Sequence, residues 1–398
     1  MDLNAITADV VVIGGGANGT SAAFHLALMG VTNVILVERR QLAAGATGKS
    51  GALVRMHYTN PHESKLAYES LKVFREFGEY TSGGDAGWDS PGFVQVVAHG
   101  YEEKLKANVR AQREMGIDTR YVTPDELREI QPGLNVEDVG AAAYEGSSGF
   151  ADPNATAYSF AAAAERLGAR IWTHCEATRI VTEGDRVVRV ETSNGPIATS
   201  SVVLAPGAYA NALLAPLGLE YGLYPHRSMV AIFRWPVGWD DRHVVVIDNV
   251  NHTWLRPEGE RGTLIGVEQP QADWDPDSFH EGVDAGFVEL ARSKLAARFP
   301  AFENATMRGG WSGIYMMSPD SRPIIDQVPS VQGLYVMLGD SGTSFKTAPA
   351  IGKCLAEWVI HGEPQTVDLT PFRSTRFAEG KPWVDDNAYS PKRQTISR

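Results

Sequence analysis

The chain has 398 residues, 43% of them hydrophobic and 21% charged, with a formal net charge of −12. That length exceeds one compact core and suggests two domains, and the acidic balance argues against nucleic acid and anionic membranes as partners. Cys175 and Cys354 lie far apart with no metal-ligand spacing around them, so reduced thiols and no metal site are expected. With no basic leader and no apolar run of about 18 residues, the expected compartment is the cytoplasm.

Ala8 to Ile13 reads as a buried parallel strand that ends in glycines. Ala17 to Met29 has helical composition and stops at Gly30. Asn33 to Val37 is a second buried strand, which completes a βαβ unit. Gly45 to Gly51 is a loop of small residues, and Glu63 to Tyr80 follows as a helix. Gly92 to Ala98 reads as a strand and Tyr101 to Met115 as a polar helix. Thr123 and Pro124 read as the N-cap and first position of another helix. Asp152 to Gly168 is an Ala-rich helix, and Ala169–Trp172, Arg186–Thr192 and Val202–Leu204 are strands. From 223 to 316 strand candidates crowd together (Met229–Phe233, Val244–Ile247, Thr263–Val267) around one amphipathic helix near Val283 to Phe299. Strands outside a βαβ rhythm suggest a mostly antiparallel domain. A strand at Gly333–Leu338 and a helix from Ala348 to His361 close the fold, and 381–398 reads as a loose polar tail.

Gly14-Gly15-Gly16-Ala17-Asn18-Gly19 fits the dinucleotide fingerprint, lies between strand and helix, and has Glu38 nineteen residues further on. Gly14 permits the tight turn and Gly16 lets a pyrophosphate approach the backbone. Gly19 lets the helix pack on the strand, and the helix N-terminus with Ala17 and Asn18 offers N–H groups to phosphate. Glu38 suits ribose hydroxyls and disfavours a 2′-phosphate. The motif alone does not separate FAD from NAD.

Further segments carry a resemblance that does. Glu38-Arg39-Arg40 with Gly45-Ala46-Thr47-Gly48-Lys49-Ser50-Gly51 resembles the second FAD contact of the glycine/sarcosine/D-amino-acid oxidase family, of the monomeric sarcosine oxidase type. Gly149–Pro153, Glu176-Ala177-Thr178 and Val202–Tyr209, with Gly207, resemble its returning nucleotide segments. Ser318–Asp326 and Gly339-Asp340-Ser341-Gly342-Thr343-Ser344-Phe345-Lys346 resemble its C-terminal flavin motif, save that Asp340 and Ser344 depart from it. The resemblance covers most of 8–375. It implies an α/β fold: a Rossmann-type FAD-binding domain (1–85, 146–215, 320–380) with a second, mostly antiparallel β substrate domain (86–145, 216–319).

It also implies site roles. Arg55 and Lys346 match the two residues that hold a substrate carboxylate in the monomeric enzymes, as a guanidinium fork and an ammonium would. Lys49 stands where related dehydrogenases link a histidine to the flavin, and no cysteine precedes Tyr315 where sarcosine oxidases link theirs, so non-covalent FAD is expected. His57 is a candidate flavin-link or active-site residue, set against an ordinary structural histidine. The oxygen-activating lysine of the family falls near Leu264; Lys49 could substitute, or oxygen is a poor acceptor. His226, His252, Trp254, Trp311 and Tyr315 could wall a pocket or serve the core. The implied activity is oxidation of an amino acid or N-alkyl amino acid bearing a carboxylate, with electrons passing to oxygen or another acceptor. A hydroxy-acid oxidoreductase on the same fold and a flavoprotein subunit of a larger complex remain alternatives.

Overall fold

The computed structural model describes residues 6–269 and 274–390. A six-stranded sheet runs in the order Ile324–Gln327, Leu334–Leu338, Val202–Leu204, Val10–Ile13, Val34–Val37 and Arg170–Trp172. Its pairs are parallel except at the Ile324–Gln327 edge. The β-branched strands are buried on both faces, as a parallel sheet requires. Helices Ala17–Leu28, Pro61–Arg75, Pro153–Arg166 and Ala348–His361 build the core on one side. Small residues let the first and last of these approach closely: a Cβ on Gly352 would lie 2.3 Å from Ser21 Oγ. The other side is covered by a four-stranded sheet that includes the Ala177–Glu183 and Arg186–Thr192 hairpin.

The second sheet has eight strands, in the order Met307–Met317, Tyr224–Arg234, Gly262–Val267, Thr253–Glu258, Val245–Asp248, Phe93–Ala98, Val139–Glu145 and Arg120–Val122. It is antiparallel except between Val245–Asp248 and Phe93–Ala98. Its alternation of side chains is decisive. Ala231, Val246, Leu255 and Ile265 face a core closed by the Ala285–Arg298 helix. Their sequence neighbours Val230, Ile247 and Trp254 face the six-stranded sheet across a cleft.

Local signals behave as the sequence implies. Thr123 and Glu126 form a reciprocal capping box at Pro124, and Asp152 caps the Ala-rich helix through Ala155 N–H. The helix expected over Glu63–Tyr80 starts earlier, at Pro61, because the Asn60 side chain accepts from Glu63 N–H. It breaks at Glu76 before a short turn of helix, Phe77–Tyr80. Met307–Met317 is a long strand despite Gly309, Gly310 and Gly313, because ten register pairs with Tyr224–Arg234 override weak strand propensity.

The tail is not loose over 381–390. Trp383 N–H donates to Asp320 and its indole to Asp385, Asp385 pairs with Arg322, and Tyr389 is buried. Residues 391–398 lie outside the described residues.

Candidate active site

One cleft, with a cavity volume of about 500 Å³, runs between the two large sheets. Its nucleotide end is made largely of backbone. Gly14 has φ +109°, and a Cβ there would lie 2.2 Å from the Ala205 carbonyl oxygen, so only glycine completes the turn. Gly16 and Ala17 open the first long helix, which carries no acidic residue in its first turn. Its end is therefore electropositive and suited to a pyrophosphate. Glu38 accepts from Gly15 N–H at 2.7 Å and Arg40 N–H at 2.8 Å, which fixes the carboxylate at the cleft. Arg39 lies 4.1 Å over the Tyr209 ring and pairs with Asp277 at 3.2 Å. Thr47, Lys49, Ser50, Gly51, Ala177 and Gly207 also line this cavity.

The middle of the cleft is walled by Gly339, Asp340, Gly342, Thr343 and Ser344. The two departures from the family pattern acquire a role here. Ser344 Oγ accepts from Asn18 Nδ2 at 3.1 Å and donates to Asp340 at 3.5 Å, which ties the C-terminal loop to the fingerprint. Asn18 Oδ1 is buried with no hydrogen-bond partner among the described residues, an acceptor left over at the cofactor wall.

Arg55 and Lys346 both reach the Tyr58 ring at the far end. Both are buried and both line the cavity. The Arg55 guanidinium lies 4.3 Å from the Tyr58 ring centroid and the Lys346 ammonium 5.4 Å from the same centroid. Lys346 also donates to Thr343 O at 3.0 Å. Burial lowers the Arg55 pKa, against the pull of Tyr58, Glu145, Glu63 and Tyr389. Glu145 is fully buried nearby, accepts from Met56 N–H and Ser148, and has its pKa raised by that burial. It holds the backbone just beyond Arg55.

Other candidates fall elsewhere. His57 does not line the cavity; its Nε2 bonds Tyr389 OH at 2.7 Å, and burial followed by the Arg55 charge pushes its pKa down to about 3. It is a neutral packing residue, and the expected flavin-side role is set aside. Gly19 and Gly48 lie behind the cavity wall. A Cβ on Gly19 would sit 1.9 Å from Gly14 O, and one on Gly48 2.5 Å from Ala43 O. Lys49 lines the cavity and pairs with Glu281, so its charge is partly neutralised. Leu264 is fully buried and outside the lining. Trp311 holds the Lys49 carbonyl at 2.9 Å, His226 packs on Tyr315, and His252 is exposed beside Glu268. The sequence reading did not single out Leu53, Ser228, Val230, Ile247, Phe279 or Glu281, all of which line the cleft. Strand alternation around Trp254 is the signal that could have found Val230 and Ile247.

The family model described as FAD dependent oxidoreductase matches residues 9–358. The chain belongs to the FAD dependent oxidoreductase family. It is 29% identical to sarcosine oxidase subunit beta of an Arthrobacter species, across 94% of this chain and 91% of that protein. It is 27% identical to human mitochondrial dimethylglycine dehydrogenase over 94% of this chain, but spans only 46% of that longer protein. The fold matches L-proline dehydrogenase from P. horikoshii with a TM-score of 0.87 at 26% identity, over 95% of this chain and 99% of that one. Glycine oxidase from Geobacillus kaustophilus matches with a TM-score of 0.80 at 26% identity, over 92% and 98%. The cleft fits the cofactor that the family name implies: a glycine turn, a fixed ribose-type carboxylate and an electropositive helix end share one cavity with the two cations. Among the described residues no helix is long and apolar enough to cross a membrane, and no group of three or more His, Cys, Asp or Glu side chains is placed to hold a metal ion.

Proposed function

We propose that this enzyme oxidises the C–N bond of an amino acid or N-alkyl amino acid. The observation that carries this reading is the convergence of Arg55 and Lys346 on one ring at the far end of the cleft. Two buried cations that line the same end of the cleft and reach the same ring make that end suited to a carboxylate. The guanidinium fork fixes the carboxylate of the substrate in orientation. FAD bound along the cleft supplies the hydride acceptor, flavin N5. Loss of hydride from the carbon beside a neutral nitrogen leaves an iminium ion, and water then adds to it and splits it into a carbonyl compound and a protonated amine.

The residues that hold FAD in this reading are Gly14, Gly16, Ala17, Asn18, Glu38 and Arg39, with Thr47, Lys49, Ser50, Gly51, Ala177, Gly207 and the 339–346 loop. Cys175 and Cys354 are buried outside the cavity, and among the described residues no histidine lines it, which supports non-covalent attachment. Lys49 is the cation available for oxygen, but its pairing with Glu281 favours another acceptor. Similarity to a protein named as a subunit favours a second reading, in which this chain works within a larger assembly.

The test is an anaerobic flavin-reduction screen with amino acids and N-alkyl amino acids. Bleaching by carboxylate-bearing amines is expected, with carboxylate-free analogues inert. Reduction by hydroxy acids alone would sink the amine assignment. Sizing the native protein by light scattering, with activity measured on the same fractions, separates the stand-alone enzyme from a subunit.

A further inference from the structure

One transverse row of the eight-stranded sheet faces the cavity. Register pairs carry it through Trp311, Val230, Gly266, Trp254 and Ile247. Val230, Trp254 and Ile247 line the cleft. Gly266 is the gap in this row. A Cβ there would lie 2.4 Å from Cε2 and Nε1 of Trp254, so the indole lies across the backbone of the neighbouring strand. Its outer edge reaches the small-residue loop opposite: a Cβ on Gly51 would lie 2.1 Å from Trp254 Cη2. Glycines from two separate parts of the fold therefore seat both edges of one ring.

The ring is only partly buried and packs against the cluster of Leu53, Phe93, Phe150, Val245 and Ile247. Phe93 in turn lies 5.8 Å from the Arg55 guanidinium. The ring's neighbours in this wall are apolar, and Arg256, two residues along the same strand, donates to Gly51 O at 2.7 Å. A close-packed aromatic plate has little freedom to yield to a larger ligand.

We propose that Trp254 is the specificity-determining residue of the site. It limits the size of the substituent that a bound substrate carries toward the eight-stranded sheet. The substrate class is then a compact carboxylate-bearing amine, excluding bulky aromatic ones. This rests on the reading of Arg55 and Lys346 as a carboxylate clamp.

The holoenzyme is titrated with acetate, butanoate and phenylacetate while the flavin absorbance is followed, so that no turnover is needed. Wild type is expected to bind the two small acids and discriminate against phenylacetate. In Trp254→Ala that discrimination should fall by about tenfold or more, the scale on which apolar pockets sort ligands by size. Trp254→Phe should fall between, and guards against loss of folding in the larger deletion. Gly266→Ala displaces the ring without removing it and should also change the ranking. If all three acids bind and their ranking is the same in wild type and every variant, Trp254 does not set size and the proposal is overturned. If no carboxylate perturbs the wild-type flavin, the clamp itself fails and the proposal falls with it.

Discussion

The two walls of the cleft are made of different material. On the six-stranded sheet the wall is backbone: glycines, a helix end, and a carboxylate pinned by main-chain N–H groups. On the eight-stranded sheet it is side chains, namely Val230, Ile247, Trp254 and Tyr315. A backbone wall tolerates almost no substitution, because a Cβ has nowhere to go. A side-chain wall is changed one residue at a time without disturbing the sheet. The first suits a cofactor that a whole family shares, and the second suits a substrate that differs between members.

The largest effect expected is on the backbone wall. Gly19→Val drives a side chain into the Gly14 carbonyl, 1.9 Å from where a Cβ would sit. The purified variant should retain no flavin, read as absorbance per protein; full flavin content would show that this wall is softer than described. Next is the junction of the walls. Arg55→Ala should lower kcat/KM for carboxylate amines by roughly 100-fold or more, about 3 kcal/mol for a charge-assisted bidentate contact. Lys346→Met should cost less, since an ammonium has no fork. Flavin content should stay normal in Arg55→Ala, and unchanged kinetics in that variant would remove the clamp.

Glu38→Ala should weaken FAD binding by about 1–3 kcal/mol without changing KM at saturating cofactor. Equilibrium titration of apoprotein checks it, and intact affinity would transfer the ribose role elsewhere. A further effect concerns stability and acid. Burial lowers His57 to about 3 and His25 and His243 to about 4, from 6.5. A depressed histidine pKa means that the unfolded chain binds the proton first. Stability is therefore complete above about pH 6.5 and falls as pH drops toward 4, by up to about 1.4 kcal/mol per pH unit for each histidine. Denaturant midpoints at pH 7 and pH 5 check the sign, and His57→Gln should flatten the slope.

The sequence by itself determined the βαβ unit, the fingerprint, Glu38, and the helix starts at Thr123 and Asp152. Each is a local arrangement in which residues close in the chain satisfy one another's backbone. Residue identity against a known family pattern was enough to suggest Arg55 and Lys346, although 291 positions separate them. Only the tertiary structure decided the rest. His57 turned from a site candidate into a neutral partner of Tyr389, because a segment expected to be loose folds back and buries it. Trp254 became a wall because Gly266 and Gly51, from a neighbouring strand and a distant loop, leave it room. Neither outcome is written in any short stretch of chain. Burial and cross-strand register depend on which distant residue arrives opposite, and that is fixed only when the sheets have closed on each other.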